Sequence, residues 1–255
     1  MKKIIATVLT VVMTAAMLAG CGSKSASSKD TLVVGTNAAF PPFEYAGADG
    51  SPEGFDIALI NAVGEKMGKK IEVKDMEFDS LVASIGNKID MAIAGMTVTE
   101  ERQKTVDFSQ SYYNAVQTVI VPIDSTIATY DDLLDKKIGV QLGTTGDFTA
   151  EEIAGEGKGA EEFQYNKAVD AVNDLLNGRL DCVIVDTNPA KVFVSQYSDQ
   201  LKAIDGSEFG FEPEEYAITL PKGDKELLDA VNKAIDELKA DGTYDALVKE
   251  YIEQS

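Results

Sequence analysis

The sequence predicts an α/β fold in which βαβ units build a largely parallel sheet. Short β-branched runs alternate with stretches of helical apolar period along most of the chain, the rhythm of strand–helix–strand units. The alternation comes in two sets, one on each side of Tyr112-Tyr113. Size agrees: with residues 1–20 set aside as an export segment, the 255-residue chain has room for one large domain or for two lobes of about 100–150 residues each. Its hydrophobic content of 44% is enough for a sizeable core.

Taken in order, the chain opens with Lys2-Lys3, an apolar run from Ile4 to Leu18, then Ala19-Gly20-Cys21. A charged start, an apolar middle and small residues before a cleavage point make an export signal. The apolar run is shorter than the ~20 residues of a membrane-spanning helix. The Cys after Leu-Ala-Gly resembles the lipobox of bacterial lipoproteins, which implies cleavage before Cys21, lipidation of its thiol and a palmitate-type anchor. Gly22 to Lys29 reads as a flexible tether, so residues 21–29 link anchor and fold.

In the first set, Thr31 to Gly35 is a strand. Phe55 to Met67 carries Ile57, Leu59, Ile60 and Val63 at helical spacing and ends near Gly68. Ile71 to Val73 is strand-like, Phe78 to Ile85 helical, and Asp90 to Ile93 a strand. In the second set, Thr118 to Val121 and Lys137 to Val140 are strands, and Gly143-Thr-Thr-Gly146 opens a helix. Phe163 to Tyr165, a helix from Ala168 to Leu176, and Cys182 to Val185 follow. Tyr216 to Leu220 is a further strand. Helices Lys225 to Lys239 and Tyr244 to Ile252 close the chain, broken at Asp241-Gly242.

Composition excludes several functions. A formal charge of −20 argues against nucleic acid, which needs a basic surface, and suits a soluble extracytoplasmic protein. With no His, Ser-His-Asp and Cys-His catalysis and the commonest zinc and iron ligand sets are removed. No metal and no cofactor is expected. Of the two Cys, a lipidated Cys21 would leave Cys182 alone with no disulfide to form. In the apolar run Asp181 to Asp186, Cys182 reads as a small buried hydrophobe.

Three places put polar groups at predicted strand ends, where open α/β sheets bind ligands. The first is Asn37 to Tyr45, where Pro41-Pro42 stiffens a loop presenting Phe40, Phe43 and Tyr45, either local core or pocket walls. The second is Ala94 to Arg102. Gly95 permits close backbone approach and Thr97 offers a hydroxyl. Thr99 looks like a helix N-cap, from which Arg102 would turn its fork back toward the loop. Such a fork suits bidentate capture of a carboxylate; the competing reading is a surface Arg paired with Glu101 or Asp107. The third joins Gln141 to Gly146, where a Gly-Thr-Thr turn opening a helix makes an anion site, with Asp186 at a strand end. Asp186 is there either for a cation or as the cap of the helix beginning Thr187-Asn-Pro-Ala190.

Together these places resemble the polar amino acid–binding proteins of ABC importers, family 3 of the extracellular solute-binding proteins. The matching stretches are Val34 to Tyr45, Gly54-Phe-Asp56, Asp90 to Arg102, Asp107-Phe-Ser109 with Tyr112-Tyr113, Gly143-Thr-Thr145, Asp181 to Asp186 and Asp241-Gly-Thr-Tyr244, in family order over about residues 31–252. The resemblance implies a type II periplasmic-binding fold with a ligand cleft between two lobes. Residues 30–112 and 215–255 would form one lobe, 117–210 the other, and 113–116 and 211–214 the crossings. It implies that Arg102 binds the ligand carboxylate with help from Thr97, Thr144 and Thr145. Asp186 and the Gly95 carbonyl would hold the α-ammonium, and Phe40 and Phe78 would pack on the side chain. Many members carry Asp where this chain has Asn37. With one negative charge fewer and Gln141 nearby, a neutral polar side chain is favoured over a strictly basic one.

The expected protein is therefore a monomeric, non-enzymatic lipoprotein that closes on a polar L-amino acid and docks on an ABC permease. Permease and ATPase are expected on separate chains, since no spanning helix follows the signal and Gly155-Glu-Gly-Lys-Gly159 does not fit a phosphate loop. A cyclohexadienyl-type dehydratase resembles the same fold and would draw on Asp186 and Glu44 as acid or base. A signalling sensor using the same cleft is a third class and would need a partner chain.

Overall fold

The computed structural model describes residues 29–253. The export signal, Cys21 and most of the tether lie outside the described residues.

The chain runs β1 (Thr31–Thr36), β2 (Ala39–Phe40), β3 (Glu44–Ala46), β4 (Pro52–Glu53), α1 (Phe55–Met67), β5 (Lys70–Asp75), α2 (Leu81–Ser84), β6 (Met91–Ala92), α3 (Glu100–Gln103) and β7 (Val106–Ala115). It continues β8 (Gln117–Pro122), β9 (Lys137–Gln141), α4 (Thr145–Gly155), β10 (Glu161–Tyr165), α5 (Ala168–Leu176), β11 (Cys182–Asp186), α6 (Thr187–Gln196) and β12 (Leu201–Asp205). It returns through β13 (Glu214–Pro221) to α7 (Lys225–Ala240) and α8 (Thr243–Leu247). Two five-stranded sheets result, in the orders β5-β1-β6-β13-β7 and β10-β9-β11-β8-β12, with a small β2-β3-β4 sheet beside the first.

Neither large sheet is largely parallel. In the first, β1 pairs in parallel with β5 and β6, whereas β13 is antiparallel to both β6 and β7. In the second, β9 pairs in parallel with β10 and β11, whereas β8 is antiparallel to β11 and β12. The reason is the way the chain crosses between sheets. Only Val116 separates β7 from β8, so β8 enters the second sheet from the cleft side, against the direction of strands that run toward the cleft. β13 re-enters the first sheet the same way. The segment 113–116, expected as a crossing, is strand as far as Ala115. Strands β7 and β12 were not anticipated, because Val106–Ala115 is polar at every second or third position and Leu201–Asp205 is short and half exposed.

Helix α1 buries Phe55, Ile57, Leu59, Ile60 and Val63 and ends at Gly68, whose φ of 64° is the left-handed conformation of a helix C-terminus. Its apolar face meets α7, which buries Leu227, Val231, Ala234, Ile235 and Leu238. The stretch Phe78 to Ile85 forms a 3-10 turn (Phe78–Ser80) and then α2. Cys182 is fully buried in the second-lobe core, and burial raises its thiol pKa, so it packs as a hydrophobe.

Candidate functional site

Strands β1, β6, β9 and β11 all end at one cavity, with about 300 Å³ of space between atoms, part of it open to solvent. From the first lobe it is lined by Asn37, Phe40, Phe78, Gly95, Thr97 and Arg102; from the second by Gln141, Thr144, Thr145 and Asp186. Each site residue singled out in the sequence therefore reaches the same cavity. Glu44 and Ala94 complete the lining.

Arg102 is aimed by its helix cap. The Thr99 hydroxyl oxygen accepts the Arg102 N–H at 3.2 Å. The side chain then turns back, so that Nη1 donates to Thr97 O at 2.7 Å and Nη2 to Gly143 O at 2.9 Å, across the cleft. Its guanidinium carbon stands 5.5 Å from the centre of the Phe78 ring. The proposed surface partners are engaged elsewhere: Glu101 pairs with Lys104 and Asp107 with Lys222. Burial lowers the Arg102 pKa to about 10, with Glu214 and Asp186 opposing, so the group stays cationic at neutral pH. Two of its five N–H donors make these bonds, and the residue also lines the cavity.

Asp186 occupies the N-cap position of α6, yet its carboxylate makes no capping hydrogen bond. Instead Oδ1 accepts the Tyr216 hydroxyl at 2.6 Å, from the other lobe. Burial, then the charge of Glu214, raise its pKa to about 7, against the pull of the Tyr216 hydroxyl and Gln117. A carboxylate held this way is stabilised by a cation placed in the cavity.

The start of α4 is partly self-satisfied. Thr144 caps the helix, its hydroxyl donating to Gln141 O at 2.7 Å and accepting from the Asp147 N–H at 3.2 Å, so it forms wall without offering a spare donor. Asp147 Oδ2 takes the Gly143 N–H. The N–H groups of Thr145 and Gly146 lie in the first turn, where no helix carbonyl reaches them. Thr97 and Thr145 both donate their hydroxyls to Glu214 Oε2, at 2.5 and 2.8 Å. Glu214, Gln117 and Tyr216 escaped the sequence reading. Glu214 sits in the acidic stretch Glu212-Pro-Glu-Glu215, which looks like solvated surface. The aromatic loop divides: Phe40 faces the cavity, while Phe43 is fully buried against Phe55, Tyr113 and Tyr216.

The lobes touch across the cavity. Gln141 Nε2 donates to Asn37 Oδ1 at 2.9 Å, and Asn188 Nδ2 to the Tyr113 hydroxyl at 2.5 Å. Asn37 Nδ2 donates to Met76 O, which fixes the amide so that its oxygen meets Gln141. Among the described residues there is no cluster able to hold a metal ion and no helix long and apolar enough to cross a membrane.

The description of the bacterial extracellular solute-binding proteins, family 3, matches residues 32–254. The arginine-binding extracellular protein ArtP of Bacillus subtilis is 35% identical over 255 residues, covering 98% of each chain. An ancestral arginine-binding protein solved with arginine superposes with a TM-score of 0.83 at 38% identity, over 88% of this chain and 99% of that one. Solved with glutamine, such a protein superposes at 0.80 with 40% identity over 88% and 98%. An ancestral amino acid-binding protein described as a precursor of cyclohexadienyl dehydratase superposes at 0.78 with 33% identity over 87% and 95%.

Proposed function

The chain belongs to the bacterial extracellular solute-binding proteins, family 3, and from that premise we propose that it captures a free L-amino acid between its lobes and delivers it to an ABC import permease. The observation that carries this reading is a pair of opposite charges from opposite lobes facing one cavity, Arg102 from the first and Asp186 from the second. An α-amino acid presents a carboxylate and an ammonium at fixed separation, and one that meets both groups favours the closed arrangement. Arg102 then takes the carboxylate with the first-turn N–H groups of α4, Asp186 takes the ammonium, and Phe40 flanks the side chain. The lobes comprise residues 30–112 with 215–255, and 117–210, hinged at 113–116 and 211–214. Relatives named for arginine and a neighbour solved with glutamine support an amino acid as the ligand class.

The protein acts as a monomeric binding module and not as an enzyme. Of the acid–base candidates of a dehydratase, Asp186 accepts the Tyr216 hydroxyl, and Glu44 is buried with no hydrogen-bond partner on either carboxyl oxygen. It works outside the cytoplasm, held by a lipid on Cys21; the charged, apolar and small-residue order of residues 2–21 supports that anchor. A thermal-shift screen of the common amino acids tests the function, because a ligand that binds the folded state raises Tm. We expect at least one to bind, to be recovered chemically unchanged, and to reduce the radius of gyration in small-angle scattering. No amino acid raising Tm, or turnover of a prephenate-like acid, overturns the reading.

A further inference from the structure

Glu214 binds to both lobes and yet is not among the residues that line the cavity. It stands half-buried at the start of β13, where the chain leaves the second lobe for the first. Its Oε2 accepts the hydroxyl of Thr97, in the loop after β6, at 2.5 Å, and that of Thr145, at the start of α4, at 2.8 Å. Its Oε1 accepts Gln117 Nε2 at 3.2 Å, and the same amide nitrogen donates to the Thr145 hydroxyl oxygen at 3.0 Å. Thr97 belongs to the first lobe, Thr145 and Gln117 to the second. Gln117 opens β8, by which the chain first enters the second lobe, so the network gathers the ends of both crossings. The first turn of α4 is pressed against it: a Cβ on Gly146 would stand 3.0 Å from Gln117 Oε1 and 3.1 Å from Ile184 O.

The other contacts between the lobes differ from this one. Arg102, Asp186, Asn37 and Gln141 line the cavity, so a ligand meets them directly, and Asn188 to Tyr113 is a single neutral bond. Glu214 joins the lobes from behind, beside a separate groove lined by Tyr130, Thr149 and Phe211. A hydroxyl has one proton to give. Thr97 and Thr145 both give theirs to Glu214, so neither donates to a ligand carboxylate. Removing the Thr145 hydroxyl therefore takes away a bond between lobes, not a bond to ligand. Hydrogen bonds onto a carboxylate are roughly twice as strong as neutral ones. The bond to Thr145 breaks when the second lobe swings away, so it favours only the closed arrangement. Resting on the amino acid reading above, we infer that Glu214 is a positioning residue for capture: without touching the ligand it latches Thr145 of the second lobe to the first and sets how slowly a bound amino acid escapes. A latch that forms after encounter acts on the release rate and leaves the rate of entry alone.

Stopped-flow binding to the full chain tests the latch, the probe being whichever common L-amino acid raises the Tm of the parent most. Glu214→Ala should raise the dissociation rate at least roughly tenfold, the scale of one or two hydrogen bonds to a charged group, and change the association rate less than about threefold. Thr145→Val keeps the backbone N–H groups of α4 and removes the hydroxyl; it should raise dissociation at least roughly fivefold, and Thr145→Ser should restore the parent rate. The double variant Glu214→Ala, Thr145→Val should release ligand no more than about twofold faster than Glu214→Ala alone, because both changes break the same bond. A purely structural role would lower Tm and leave the release rate as it is. An unchanged release rate in either single variant, or a change that falls on association instead, overturns the inference while amino acid capture stands. If no common amino acid raises the Tm of the parent, the amino acid reading falls and the inference with it.

Discussion

Replacing Gly143 with Ala loads a point where the two lobes meet. Gly143 has φ of +78°, and a Cβ built on it would stand 3.1 Å from the Asp79 Cβ and 3.3 Å from the Asp79 Cα, in the turn that also carries Phe78. Two costs follow, and they act on different states. Forcing an L-residue into the left-handed region costs about 1–2 kcal/mol whether the cleft is open or closed, and appears as lost stability. The contact with Asp79 exists only when the lobes touch. Overpacking there costs about 1–3 kcal/mol, a loss of roughly 5- to 150-fold in ligand affinity. Calorimetric Kd and the Tm of the ligand-free protein read the two separately. The double variant Gly143→Ala, Asp79→Gly should recover most of the affinity, because the crowded Cβ is gone, but not the Tm. A wild-type Kd for Gly143→Ala alone refutes the claim that the lobes meet at Gly143 and Asp79 when ligand is held.

The remaining expectations concern charge and capping. The buried carboxyls of Glu44, Asp56 and Asp186 have folded pKa values raised above their unfolded values of about 4, so the unfolded chain gives up protons that the fold retains. Their contribution to stability is therefore fullest below about pH 4 and is lost as pH rises through about 6 to 7, where Asp56 and Asp186 ionise. Ligand-free Tm should fall between about pH 5 and pH 8, and fall less in Asp186→Asn; a rise through that window contradicts the sign. Asp186→Asn should also weaken amino acid binding by at least roughly tenfold, measured by calorimetry, because a buried ammonium loses its counter-charge. Thr99→Ala removes the cap that aims Arg102 and should cost about 1 kcal/mol in denaturant-measured stability, together with a measurable loss of affinity.

Much of the site was legible because its chemistry is carried by local signals. Thr99 before Glu100-Glu101-Arg102 announces a capped turn, and Gly143-Thr144-Thr145 announces a helix start; both were read from a few adjacent residues and both form. The helices at Phe55–Met67 and Ala168–Leu176 were equally plain, since their buried faces repeat at helical spacing. What was not legible depends on contacts between distant residues. Glu214 meets Thr97 and Thr145 only because β13 returns between the lobes. The choice for Asp186 between capping and cavity is decided by Tyr216, which stands 30 residues away in sequence and on the other lobe. The parallel sheets expected from alternation are mixed because β8 and β13 are crossing strands, and an alternating pattern does not carry strand direction. Glu44, between Phe43 and Tyr45, was visible as a carboxyl among aromatics, but its pairing with Asp56 is a tertiary fact.

The central claim, that Arg102 holds the carboxylate of a bound amino acid, is tested most directly by a binding cycle. The tightest-binding amino acid and its C-terminal amide are titrated into the parent protein and into Arg102→Ala. Loss of the carboxylate should cost the parent at least roughly a hundredfold in Kd, the worth of a buried charge-assisted pair, and cost Arg102→Ala less than about tenfold. An equal loss in both proteins would contradict the account, because the carboxylate would then be held somewhere other than Arg102.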